Sequence, residues 1–194
     1  GWRWLLYFRE TEIIIFHDSL LPKYRGFNPL VSYLLNKEDR VGVTALFADE
    51  EFDCGDIIDQ RSVSITYPIK LREAIQKIIP CYTELVLDIS KKIKNKKEIV
   101  GHPQPDNLAT YSLWRDEDDY RIDWNKDADY IKRFIDSLGY PYKGASTVMN
   151  KTKVRIFDSE VIKDRVIENR CPGKLLFKQG GYPVVVCGKG LLKI

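Results

Sequence analysis

Histidine is nearly absent from this 194-residue chain, which has only two, His17 and His102. Cysteine is sparse as well: Cys54, Cys81, Cys171 and Cys187 stand far apart and form no CxxC pair. Without such pairs, or histidines at ligand spacing, a structural zinc site has no donor set, and no metal is expected. Isolated thiols of this kind read as buried or half-buried side chains of a reducing compartment, so a cytoplasmic location is expected. With no signal peptide ahead of it, the Asn150-Lys151-Thr152 sequon is expected to be silent. Long apolar runs are missing, and none approaches the ~20 residues of a membrane-spanning helix. An excess of one charge sign is missing too. The 31 Lys+Arg face 28 Asp+Glu, a formal net charge of +3. The pI near 8.6 falls short of a dedicated nucleic-acid binder, whose pI exceeds ~9. No internal repeat is visible. With 44% hydrophobic and 30% charged residues, the chain is globular and long enough for a buried core in one or two domains.

Its apolar pattern is that of an α/β portion followed by short strands. Residues 1–6 and 13–16 read as buried strands, the second β-branched and typical of a central parallel strand. Residues 17–26 form a loop, judged by Pro22 and Gly26. Asn28 is then positioned to cap a helix that starts at Pro29. Residues 41–48 and 56–63 read as strands around the acidic, Gly-containing loop 49–55. From Leu71 to about Lys94 the apolar positions keep a helical period, with Pro80 expected to kink or divide it. The lysine-rich end of that helix suits the macrodipole. A Pro-rich connector at 102–107 precedes a helix from about Asp127 to Leu138, stopped by Gly139. Short strands are then predicted near 146–149, 153–156, 174–177, 183–187 and 191–194.

His17 directly follows a strand and opens a loop, where α/β sheets place their ligand sites. Asp53 ends the next strand region. A carboxylate beside an imidazole fixes its tautomer and stabilises the imidazolium, an arrangement suited to acid–base chemistry near neutral pH. The residues alone thus predict a His/Asp site at a sheet edge, without a reaction.

At these positions a resemblance appears. The run His17-Asp18-Ser19-Leu20-Leu21-Pro22-Lys23-Tyr24-Arg25-Gly26, followed by Gly42-Val43-Thr44 and Asp53-Cys54-Gly55-Asp56-Ile57-Ile58, resembles the 10-formyltetrahydrofolate-dependent formyltransferases. Those enzymes include methionyl-tRNA formyltransferase, glycinamide ribonucleotide transformylase and the nucleotide-sugar N-formyltransferases. Ala109-Thr110-Tyr111 and Arg121-Ile122-Asp123-Trp124 look like the family's linker, and Gly144-Ala145 with Lys153–Ile156 like the entry to its C-terminal β segment. The resemblance implies a Rossmann-like α/β core over residues 1–100, a linker with a helix over 101–143, and a small antiparallel β subdomain over 144–194. The first half of that core would precede Gly1, and the chain starts without Met, as in a piece of a larger domain.

The implied reaction is formyl transfer from N10-formyltetrahydrofolate to a primary amine. By this resemblance His17 stabilises the tetrahedral oxyanion or takes the amine proton, and Asp53 orients His17. The pterin would lie among Trp4, Leu6, Leu21 and the backbone of Asp49, Glu50, Glu51 and Phe52. Lys23, Arg25 and Asn28 are assigned to the acceptor. The opening Gly1-Trp2-Arg3-Trp4 and the Phe27-Asn28-Pro29 run look most like the enzymes that act on dTDP-amino-dideoxyhexoses for lipopolysaccharide O-antigen, so a nucleotide-linked amino sugar is the expected acceptor. A homodimer is expected, with no membrane partner. Nucleic acid enters only under the alternative of methionyl-tRNA. One departure stands out: Ile15 occupies the place of a family Asn that helps bind the formyl oxygen. Losing an oxyanion donor typically costs about 100- to 1,000-fold in rate. Three readings follow: a weak catalyst or binding-only relative, a donor supplied elsewhere, or non-natural residues near 13–15.

Overall fold

The β-branched run after Ile13 has the propensity of a strand. In the computed structural model, which describes residues 11–194, it forms β1 (Ile14–His17). Arg25–Gly26 is β2, Pro29–Leu35 is α1, and Arg40–Phe47 and Ile57–Ser64 are β3 and β4. Among the described residues the sheet order is β1-β3-β4, antiparallel throughout. The central strand is therefore β3, buried from Val41 to Leu46, while Ile14, Ile15 and Phe16 are only half-buried. A short apolar run records burial but not pairing direction, and the one described neighbour of β1, strand β3, runs antiparallel to it. The strand expected at 1–6, with Trp4 and Leu6, lies outside the described residues.

Leu71–Lys94 forms α2. Leu71, Ala74, Ile78, Cys81, Leu85 and Ile89 recur at helical spacing and are buried. Pro80 lies within α2 and does not divide it; its position is exposed, and the buried stripe runs along the other side. On β4, Arg61 pairs with Glu84 and Asp88, and Tyr82 lies beside Phe16, which sets α2 on one sheet face. The 17–26 loop lies against the other, where Ser19 and Leu21 bond to Thr44, and α1 bonds to that loop through Tyr33. Asn28 does not cap α1: its backbone is left-handed (φ 50°) and its side chain makes no capping bond. A capping residue normally holds extended backbone, and left-handed Asn28 departs from that geometry. Further along, β5 (Tyr111–Ser112) pairs in parallel with β2.

The described chain forms two units, residues 11–66 with 73–114, and residues 67–72 with 115–194. This division differs from the boundaries read at 100 and 143: the connector through Trp114 belongs to the first unit. In the second unit, Asp127 caps α3 (Ala128–Ser137), accepting the Tyr130 N–H at 2.6 Å. Ile131 and Ile135 of α3 are buried with Ile122, Ala145, Cys187 and Leu192. A hairpin joins β6 (Ala145–Met149) to β7 (Thr152–Ile156), with Asn150 and Lys151 both at positive φ in its turn. A four-stranded antiparallel sheet follows, ordered β8 (Glu160–Ile162), β11 (Leu191–Lys193), β10 (Tyr182–Val186), β9 (Leu175–Gln179). Of these, β8 carries too few apolar residues to announce itself in the sequence. No helix among the described residues is long and apolar enough to cross a membrane.

Candidate functional site

Residues 17–25 carry a loop whose backbone groups are taken up one after another. The Ser19 N–H donates to the His17 carbonyl at 2.8 Å, and the Ser19 hydroxyl to the Lys23 carbonyl at 2.7 Å. The Leu20 N–H reaches the Tyr33 hydroxyl at 2.9 Å, and the Leu21 N–H the Thr44 hydroxyl at 3.1 Å. Thr44 in turn donates to the Ser19 carbonyl at 2.6 Å, and Gln60 Nε2 to the Leu21 carbonyl at 2.9 Å. The Tyr24 and Arg25 N–H groups end on the Thr110 hydroxyl and carbonyl, at 2.9 and 2.8 Å. Burial pushes the Tyr33 hydroxyl up to about 12, so it stays protonated near neutrality. Buried polar groups need partners, and here β3, β4, α1 and the connector supply them.

His17 ends β1, buried, opposite Thr44. Its Nε2 lies 2.8 Å from the Tyr24 carbonyl. A carbonyl can only accept, so Nε2 carries the hydrogen. Nδ1 faces Asp53 Oδ2 at 3.6 Å, an ion-pair distance longer than a hydrogen bond. A proton arriving at Nδ1 would create an imidazolium between two acceptors. Asp53 is also buried, and its Oδ2 accepts the Gly26 N–H at 2.8 Å. Its backbone is left-handed, with φ 58°. Gln104 grips that turn: its Nε2 donates to the carbonyls of Asp53 and Gly55, both at 2.8 Å. Its Oε1 accepts from Arg25 Nε and Nη2 at 3.0 and 2.9 Å. Ile15 lies two residues before His17, on the same face of β1 and opposite Leu46, and offers no donor.

Beside Asp53 opens a cavity of about 440 Å³, walled by Phe27, Phe52, Tyr111, Leu113 and Trp114 with Glu51 at its edge. Phe27 meets Trp114 edge to face at 5.3 Å and Phe52 at 5.7 Å. Aromatic groups at such spacing stabilise one another and present flat walls. Cys54 also lines the cavity, and burial pushes its thiol up, with Arg25 partly opposing.

Two family models match the chain: formyl transferase over residues 5–79 and formyl transferase, C-terminal domain, over residues 115–194. The chain belongs to the formyl transferase family. It is 33% identical over 178 residues to methionyl-tRNA formyltransferase of Thermodesulfovibrio yellowstonii, covering 92% of this chain and 55% of that protein. It is 31% identical over 185 residues to the one of Caldanaerobacter subterraneus subsp. tengcongensis, covering 95% and 58%. The chain thus spans somewhat over half the length of these curated relatives. Among solved structures, HypX from Aquifex aeolicus in complex with tetrahydrofolic acid superposes with a TM-score of 0.75 at 20% identity, over 96% of this chain and 32% of that one. The N-formyltransferase from Helicobacter canadensis, in complex with folinic acid and dTDP-3-aminofucose, gives 0.70 at 22% identity, over 93% and 65%. At these identities the likeness is one of fold.

Within this formyl transferase fold the expected site residues are placed unevenly. His17 and Asp53 come together. Leu21 is buried beneath its loop, Asp49, Glu50 and Glu51 lie on an exposed turn, and Phe52 forms cavity wall. Of Lys23, Arg25 and Asn28, Arg25 lines the aromatic cavity. Exposed Lys23 sits 3.9 Å from Glu38. Arg25 is only 2% exposed and bonds to Gln104 and to Asp106 at 2.9 Å. Burial works against its charge, but the Asp106 bond outweighs that and raises its pKa. Sequence reasoning missed Gln104 and Trp114. For Gln104 the signal was there: a polar residue pinned between Pro103 and Pro105.

Proposed function

We propose that the protein transfers a formyl group from N10-formyltetrahydrofolate to the primary amine of a nucleotide-linked amino sugar. The observation that carries this reading is the buried His17–Asp53 pair at the end of β1. The amine nitrogen attacks the formyl carbon and forms the new C–N bond through a tetrahedral oxyanion. The bond to N10 then breaks, the amine gives up one proton, and N10 gains one. Of the two ring nitrogens of His17, Nδ1 is the one the Tyr24 carbonyl leaves open to take the proton. Asp53 stabilises the resulting imidazolium. The pterin is assigned to Leu21 and the turn Asp49–Phe52, with Trp4 and Leu6 completing its site. The aromatic cavity beside Asp53 suits the flat base of a nucleotide. Support comes from the fold shared with a structure whose ligands are folinic acid and dTDP-3-aminofucose. The reading includes a cytoplasmic homodimer.

A second reading, formylation of methionyl-tRNA, is favoured by the names of the curated relatives. The balance of charges weighs against it, since holding a polyanion requires clustered cations. A deciding assay supplies 10-formyltetrahydrofolate with either dTDP-3-aminofucose or methionyl-tRNA and follows the products by mass spectrometry. A formylated sugar supports the first reading and formylmethionyl-tRNA the second. Binding of folinic acid and dTDP-3-aminofucose without turnover would make the chain a binding relative impaired at Ile15.

A further inference from the structure

We propose that Gln104 is a positioning residue for Asp53, with Arg25 as the strut that orients it. This rests on the reading of His17 and Asp53 as the reacting pair. Asp53 holds a left-handed backbone (φ 58°), a conformation that Asp tolerates better than most residues with a side chain but that still needs support from its surroundings. Two restraints supply it. The Gly26 N–H holds the carboxylate, and Gln104 holds the main chain, donating to the carbonyls of Asp53 and Gly55.

The Gln104 amide is saturated. Both its N–H bonds face carbonyls, and its oxygen receives two N–H groups of Arg25. Rotating the amide by half a turn would set its oxygen against two carbonyls and its NH2 against a guanidinium, so only one orientation satisfies every partner. Arg25 is fixed in turn by Asp106. The connector is tied to the same region from the other side, because His102 and Ile57 exchange both backbone bonds at 2.8 Å. The series Asp106–Arg25–Gln104–Asp53 therefore ends on the main chain of the residue whose carboxylate faces His17 Nδ1. Arg25, a cation expected at the acceptor, lines the aromatic cavity and at the same time stands two steps behind the reacting pair.

Gln104→Glu tests this, because it keeps the size of the side chain and its partnership with Arg25 while removing both donors to the turn. A displacement of about 1 Å at reacting groups costs on the order of a hundredfold in rate. The expected result is a kcat lowered by about that factor, with KM for 10-formyltetrahydrofolate little changed and the variant still folded at the assay temperature by circular dichroism, although the two unpaired carbonyls lower its melting temperature. The imidazole NMR signals of His17, assigned by their loss in His17→Asn, should shift in the variant. If Gln104→Glu does not fold, Gln104→Met and Arg25→Lys carry the same measurements. Parental kcat with unmoved His17 signals overturns the proposal. So does a loss of activity that tracks unfolding or falls on KM alone. His17→Asn and Asp53→Asn are assayed in parallel. If they retain parental turnover, or if the parent shows none, the functional reading fails, and the His17 signals alone decide whether Gln104 sets the pair's geometry.

Discussion

Gly26 and Asp53, 27 residues apart, meet through a single hydrogen bond in which the Gly26 N–H donates to Asp53 Oδ2 at 2.8 Å. Gly26 can do this only at φ 99°, with its α-carbon pressed toward the Ser112 carbonyl. A Cβ there would lie 2.6 Å from that oxygen. Gly26→Ala should therefore lower stability by about 1–3 kcal/mol in urea unfolding and reduce turnover together with it. An unchanged unfolding midpoint would mean the β2–β5 contact yields at no cost.

Asp53→Asn separates charge from shape. Asn tolerates left-handed backbone well, so the fold should survive, as circular dichroism would report. General acid–base assistance is worth about 100- to 10,000-fold, and kcat should fall within that range. A variant as fast as the parent would remove Asp53 from the mechanism.

Ile15 lies on the His17 face of β1 and is half-buried opposite Leu46. Ile15→Asn should place a donor beside the formyl oxygen and raise kcat, by up to about 100-fold if the oxyanion is otherwise unsupported. No gain in single-turnover measurements would mean that another group already holds the oxyanion.

Trp114 forms one wall of the aromatic cavity, edge-on to Phe27. Trp114→Ala should weaken acceptor binding by about tenfold, raising its KM with little change in kcat, the pattern of lost uniform binding. Titration calorimetry with dTDP-3-aminofucose gives an independent check, and equal affinity would place the acceptor elsewhere.

Asp136 is buried in α3 beside Lys132, which donates to Oδ2 at 2.9 Å while Oδ1 has no partner. Burial raises its pKa above the ordinary 3.8, with the Lys132 bond opposing. A carboxyl raised on folding contributes stability that is full below its unfolded pKa and lost as pH climbs through the folded one. Asp136→Asn, which mimics the neutral form, should melt higher than the parent at pH 7, and the gap should close toward pH 3.5. A lower melting point at pH 7 would show that the Lys132 pair outweighs the cost of burying the charge.

The long helix α2 and the strands β3 and β4 were legible because their apolar spacing is local information. The antiparallel pairing of β1 was not, since four apolar residues specify burial without naming a neighbour. His17 and Asp53 could be found from motif and spacing. Arg25 could not be placed, because a charged residue in a Gly-containing loop looks like surface until its partner is known, and Gln104 lies 79 residues away. Asn28 misled for a local reason: its capping chemistry is present, but its left-handed backbone forbids the geometry.

The loop that presents His17 has its backbone groups satisfied by Tyr33, Thr44, Gln60 and Thr110, from four different elements. It is accordingly not a portable cassette. A transplant of residues 17–26 into another scaffold would carry the recognisable letters but leave behind most of the atoms that shape them. Engineering this chemistry elsewhere would require moving those distant side chains too, with Gln104 among them.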